Sequence, residues 1–227
     1  SRGDFGKLCI AQRDNALPVA HAMMKKPLTM EQYLNARLIA DPIRLFDCVM
    51  PCAGAEAFLV MSDERAQSLH LPYTTILSTI ERHNAFPDDP VQFRGGWALD
   101  VDEFYSQAGI GPEDINVLQA YDDYPVICFM QIEDLGFCKK GEVANFLSDK
   151  DLTVNGNFPV NTSGGQLSVG QAGAGGGYLG VVETIRQLTL QTQGHQVEKA
   201  KHGLVSCFGM INYDRGLCTS AAILTRG

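Results

Sequence analysis

The sequence predicts an α/β fold of packed layers with a mixed sheet, and three observations carry that expectation. Strand-length apolar segments alternate with helical segments along most of the chain. A glycine-rich stretch from Asn161 leads directly into the clearest amphipathic helix, residues 178–190. Two strand segments, 203–209 and 217–225, close the chain and put a hairpin-like pair into an otherwise alternating order.

Taken in order, residues 5–15 set Phe5, Leu8, Cys9 and Ala11 against Arg13 and Asp14 on the opposite face, a short helix. Thr29 with Gln32 three residues on is a capping-box start for a second. Residues 55–61 read as a buried strand, and Ser62 or Asp63 caps a helix reaching about Leu69. Pro72 follows and marks a boundary, which divides the chain into 1–71 and 72–227. Residues 74–80 are rich in β-branched side chains and read as a strand. The loop 84–97 carries Pro87, Pro90, Gly95 and Gly96. A helix at 100–108 ends at Gly109, a strand follows at 115–120, and a helix at 125–135 stops at Gly136.

Composition limits the function. The 227 residues carry 18 Lys+Arg against 26 Asp+Glu, a net charge of −8, and 45% are hydrophobic. That is too apolar for disorder, and too acidic for a nucleic-acid or anionic-membrane surface. No apolar run approaches the roughly 20 residues that cross a bilayer. Ser1, Arg2, Gly3 and Asp4 form neither a signal sequence nor a Met start, so the expectation is a piece of a longer chain. Seven cysteines, an odd number set mostly in apolar runs, read as reduced thiols of a cytoplasmic protein. Cys48 and Cys52 lack a second pair or a nearby His, so no metal is expected.

Three segments have the composition of a site. The glycine-rich stretch 161–177 permits positive φ and close approach, and it opens a helix N-terminus suited to an anion or oxyanion. It lacks the Lys-Ser/Thr of a phosphate loop, and glycines that only bring a helix close to a sheet explain it equally well. Tyr121, Asp122, Asp123 and Tyr124 stand at a strand end that opens a helix. One aspartate of the pair either caps that helix or titrates high beside its neighbour. Cys207 to Cys218 links the last two strands, and its thiols read first as small buried hydrophobes. None of the five histidines falls in these segments, which leaves a Ser-His-Asp arrangement without support.

In combination these segments resemble the C-terminal half of the thiolase superfamily, in the branch of sterol-carrier-protein-type thiolases and lipid-transfer-protein aldolases. Leu28, Thr29, Tyr33, Leu34, Ile39 to Pro42 and then Gly54 to Val60 look like the end of the family's first domain. Asn161 to Gly165 looks like the entry to its Gly-His-Pro loop. The resemblance implies thiolase-like layered αβα domains with mixed five-stranded sheets, with 1–71 the tail of the first domain and 72–227 the complete second. It implies no bound cofactor, a coenzyme A thioester as substrate, and a homodimer or homotetramer. A small OB-fold partner protein, as in the aldolase branch, goes with it.

The departures shape the chemistry. The family's nucleophilic Cys belongs to a half that this sequence does not contain. Gly170, Gln171 and Ala172 stand where the family has Gly-His-Pro, and Tyr121 stands where it keeps His or Asn. Losing the imidazole and gaining a tyrosine is similar to the aldolase branch, in which retro-aldol cleavage of a β-hydroxyacyl-CoA needs no acyl-enzyme. The residues expected to act are Tyr121, Tyr213, Gln171 and Asp123. Those expected to line the substrate are Ser163, Gly164, Gly165, Gly170, Cys207 and Gly209. The alternative is a non-catalytic thiolase-like subunit that stabilises a partner or binds acyl or lipid groups.

Overall fold

A computed structural model describes residues 1–212 and 215–227. Helix α1 (Arg2–Ala16) buries Leu8, Cys9 and Ala11, as its periodicity predicts. Helix α2 (Met30–Leu34) starts on a reciprocal capping box: Gln32 N donates to Thr29 Oγ1 at 3.2 Å, and Thr29 N to Gln32 Oε1 at 2.9 Å. A small ribbon of β1 (Leu38–Ala40) and β2 (Ile43–Arg44) follows. Helix α3 (Asp63–Ser68) has Ser62 as its N-cap, accepting from Arg65 N at 3.3 Å.

The main sheet holds β3 (Thr74–His83), β4 (Val117–Ala120), β5 (His202–Asn212) and β6 (Arg215–Arg226). Its order is β3-β6-β5-β4, antiparallel throughout except for the parallel pair β4 and β5. Val160 bridges Leu118 on the free side of β4, a one-residue fifth position beside four strands. Successive side chains alternate between two cores. Leu118, Leu204 and Ile223 face α4 (Trp97–Ala108) and α5 (Pro125–Asp134), joining Trp97, Phe104, Phe129 and Ile132. Val117, Val205 and Leu224 face the other way, toward α8 (Gly176–Thr189) and its Leu188. Between these lie two short helices, α6 (Val143–Phe146) and α7 (Gly165–Val169). The layers are therefore helix, sheet, helix.

Helix α4 begins three residues before the sequence expectation. Trp97 is fully buried there and donates its indole N–H to Ser220 O at 2.9 Å, which pulls the loop end into the helix. The expected strand at 55–61 is overturned. These residues form no strand and lie against α8, with Glu56 3.5 Å from Arg186 and the Phe58 ring 5.8 Å from that of Tyr178. Leu59 is 83% exposed and Val60 77%. A strand requires a paired neighbour, and among the described residues none lies beside this segment. No helix among the described residues is long and apolar enough to cross a membrane.

Asn15 is one of the side chains that tie α1 to the rest. Asn15 is buried and donates to Val160 O at 3.2 Å and Asn161 O at 3.3 Å, while its Oδ1 accepts from Val154 N at 3.0 Å. Removing it strands backbone groups that water cannot reach. Asn15→Ala is expected to cost about 2–4 kcal/mol in urea unfolding. A loss below about 0.5 kcal/mol contradicts the assignment.

Candidate functional site

Tyr121 follows the last residue of β4, and its backbone is held from both sides. Its N–H donates to Ser206 O at 3.1 Å and to Gln131 Oε1 at 3.0 Å, and its carbonyl accepts from Gln131 Nε2 at 2.7 Å. Gln131 is fully buried, so this grip is not exchanged for water. The neighbouring Asn161 side chain pairs with both backbone groups of Ala120, at 2.8 and 3.0 Å, and so closes the strand edge.

The two aspartates then part. Asp122 is buried and accepts from Gln12 Nε2 at 2.9 Å, Gln166 N at 2.8 Å and Leu167 N at 3.1 Å. It therefore caps a helix, as the sequence suggests, but that helix is α7; α5 begins at Tyr124 with no side-chain cap. Gly164 and Gly165 permit this approach. Both have positive φ, and a Cβ at Gly165 would fall on the Asp122 carboxylate, one at Gly164 on Ala16. Burial is the largest effect on Asp122 and pushes it up to about 6, against the backbone N–H groups of Gln166 and Leu167, which favour its charge.

Asp123 turns the other way. Its Oδ1 accepts from Gln171 Nε2 at 2.6 Å, and the same amide lies 3.4 Å from the Tyr121 hydroxyl. Gln171 is fixed by its backbone: its N–H donates to Met50 O and its carbonyl accepts from Cys52 N, both at 2.9 Å. The shared Gln171 amide thus sets the Tyr121 hydroxyl beside the Asp123 carboxylate. Half-burial comes first in pushing Tyr121 up to about 12, with the Asp123 charge second and the Gln171 hydrogen bond opposing them. Asp123 is raised as well, by burial, and held back by Tyr121. At neutral pH the Tyr121 phenol therefore holds its proton.

A cavity of about 20 Å³, room for roughly one water, opens beside Tyr121. Ser163, Gln166, Gly177 and Cys207 line it, together with the first turn of α8, whose N–H groups have no carbonyl partner within the helix. Ser163 Oγ and Gln166 Oε1 are buried and, among the described residues, without a partner. Cys207 donates its thiol to Gly177 O at 3.5 Å, and burial pushes it up to about 11. It is a neutral thiol, not a thiolate.

The structure thus brings Tyr121, Asp123 and Gln171 together and places Ser163, Gly165 and Cys207 around the adjoining cavity. Gly164 and Gly170 are spent on close packing, the latter against Cys52 and Met23. Gly209 lies further along β5, opposite Cys218. Tyr213 lies outside the described residues. Gln12 and Gln131 were not singled out from sequence, and a lone glutamine in an amphipathic helix gives no signal for such a role.

Residues 90–222 match the model of the thiolase C-terminal domain-like family. A steroid side-chain-cleaving aldolase of Thermomonospora curvata is 30% identical over 199 residues, covering 84% of this chain and 51% of that protein. The 17-hydroxy-3-oxo-4-pregnene-20-carboxyl-CoA lyase of Mycobacterium tuberculosis is 33% identical over 238 residues, 97% of this chain and 57% of that protein. The chain thus spans about half the length of the curated relatives it matches. Among solved structures, the Ltp2-ChsH2(DUF35) aldolase superposes with a TM-score of 0.84 at 26% identity, covering 100% of this chain and 59% of that one.

The raised Asp122 carboxyl has a measurable consequence. Its folded value of about 6 lies above the value near 4 of an unfolded carboxylate, so the folded chain holds the proton more tightly. The stability it contributes is fully present below about pH 4 and is lost as pH rises through about 6. Across that interval the gap in unfolding free energy between wild type and Asp122→Asn is expected to change by roughly 2–3 kcal/mol. Parallel pH profiles for the two proteins would contradict it.

Proposed function

The chain belongs to the thiolase family through its thiolase C-terminal domain, and on that premise we propose that it forms part of an enzyme breaking a C–C bond in a β-hydroxyacyl-CoA. The observation that supports retro-aldol cleavage is the Gln171 amide, which reaches both Asp123 and the Tyr121 hydroxyl where the family places an imidazole. In this reaction Asp123 takes the β-hydroxyl proton. The Cα–Cβ electrons pass into the thioester as an enolate while Cβ–O becomes a carbonyl. Tyr121 gives its proton to Cα, and Asp123 then passes the one it took back to Tyr121, the two groups being held side by side by the Gln171 amide. As its charge grows, the thioester oxygen is held by the N–H groups opening α8 and by the Gln171 N–H that leaves its long 3.4 Å contact with the Tyr121 hydroxyl. Tyr213, expected from sequence to assist, belongs to the same proposal.

Residues 1–71 then form the tail of one thiolase-like domain and 72–227 a second. Coenzyme A thioester is the substrate, and no metal takes part in the chemistry. The names of the relatives, an aldolase and a lyase of a hydroxylated acyl-CoA, support this direction. The paired name of the Ltp2-ChsH2(DUF35) aldolase supports a second protein component, which this proposal takes to be a small OB-fold partner on a homodimer or homotetramer. The protein works in the cytoplasm, in keeping with seven unpaired thiols.

A second reading, acyl or lipid binding without chemistry, is favoured by an apolar groove of about 610 Å³ lined by Phe5, Phe93, Phe129, Met130 and Phe208. Kinetics of the full-length protein separate the two. Tyr121→Phe is expected to lower kcat by roughly 10²- to 10⁴-fold with KM and circular dichroism near wild type. Gln171→Ala is expected to lose about 10²-fold in kcat/KM, the scale of one oxyanion donor. Wild-type turnover in Tyr121→Phe removes it from the chemistry, and no cleavage by wild type favours binding alone.

A further inference from the structure

Away from the Tyr121 site, β3 and β6 bring a carboxylate, an imidazole and a thiol to one point. Glu81 and His83 are two residues apart on β3 and so share a face of the sheet. Cys218 is the cross-strand partner of His83 on β6 and faces the same way. His83 Nε2 lies 2.6 Å from Glu81 Oε1 and 3.7 Å from Cys218 Sγ, and the three ligand atoms all fall within 4.8 Å of one another. Among the described residues this is the one cluster of three such groups.

We propose that Glu81, His83 and Cys218 form a binding site for a divalent cation of zinc type, with water as the fourth ligand. Bond lengths of about 2.0–2.3 Å to oxygen, nitrogen and sulfur set tetrahedral ligand atoms roughly 3.4–3.8 Å apart. The His83–Cys218 separation already meets that spacing. The Glu81 oxygen is too close to the imidazole, but Glu81 and His83 are both exposed and their side chains can open by about 1 Å. One nitrogen, one sulfur and one carboxylate oxygen suit zinc rather than magnesium or calcium, which take oxygen ligands. On loading, the thiol loses its proton to solvent, a Cys218 S–metal bond forms, and the imidazole binds neutral through Nε2. No redox change occurs. Burial and the Glu81 carboxylate hold the empty thiol protonated, so metal and proton compete for the sulfur.

The scaffold makes the site more than a surface ion pair. An exposed Glu–His contact contributes little by itself. Here strand pairing from Thr74↔Arg226 to His83↔Cys218 fixes which side chains meet, and the site would join the ends of two strands. The sequence expectation of no metal rested on spacing within one segment, whereas His83 and Cys218 are separated by 135 residues.

Cobalt(II) added to chelator-treated protein tests this directly. One equivalent is expected to give a thiolate-to-cobalt charge-transfer band with tetrahedral visible bands, and zinc is expected to displace it. Cys218→Ser should abolish the charge-transfer band, and His83→Ala should weaken cobalt binding at least tenfold, with circular dichroism unchanged in both. Cys138→Ser serves as the control and should keep the band. No band in wild type with excess cobalt overturns the site, as does a band that survives Cys218→Ser. Full affinity in His83→Ala overturns it equally.

Discussion

The buried carboxylate of Asp122 is the constraint on which the rest depends. It receives one donor from α1 through Gln12 and two from the start of α7, while its own backbone continues the end of β4. Three separate stretches of chain therefore meet at one charge. A helix of five residues beginning at two positive-φ glycines has little stability by itself. It exists because a carboxylate 44 residues away satisfies its first N–H groups. Asp122 turns inward, whereas Tyr121 and Asp123 meet the Gln171 amide.

That division of labour separates the charges as well. Asp122 sits among N–H donors and serves structure, whereas Asp123 faces a phenol and an amide. The Tyr121 proton is held tightly, so the group suits donation to a carbanion or an oxyanion more than abstraction from an alcohol. The thiol in the same cavity is the weaker chemical candidate. Cys207 has no cation beside it among its influences, and burial keeps its proton in place. Helix α8 adds the positive end of its dipole at the same cavity, where developing negative charge is stabilised most.

Much of the scaffold was legible because its signals are local. The capping box at Thr29, the helix ended by Gly109 and the long strands β5 and β6 all follow from residues within one turn or one pleat. What was not legible depends on partners far along the chain. Residues 55–61 have the composition of a strand, but pairing decides, and here α8 is the neighbour. The glycine-rich stretch shows only a permissive backbone until Asp122 is seen to cap α7, and residues 161–170 are all buried. Tyr121, Asp123 and Gln171 were singled out from sequence; that a single amide would span the other two was not. Two adjacent aspartates look alike on paper, and only the fold shows that one caps α7 and the other meets Gln171.

In the proposed reaction, carbon–carbon cleavage runs on the Tyr121 hydroxyl and the Asp123 carboxylate without a covalent thioester on the protein. Product analysis of the full-length protein with a β-hydroxyacyl-CoA, in the absence of free coenzyme A, tests it most directly. Cleavage should yield a carbonyl compound and a shortened acyl-CoA, and intact-mass measurement during turnover should find every cysteine unmodified. A strict requirement for free coenzyme A, together with an acyl adduct on a cysteine, would contradict it.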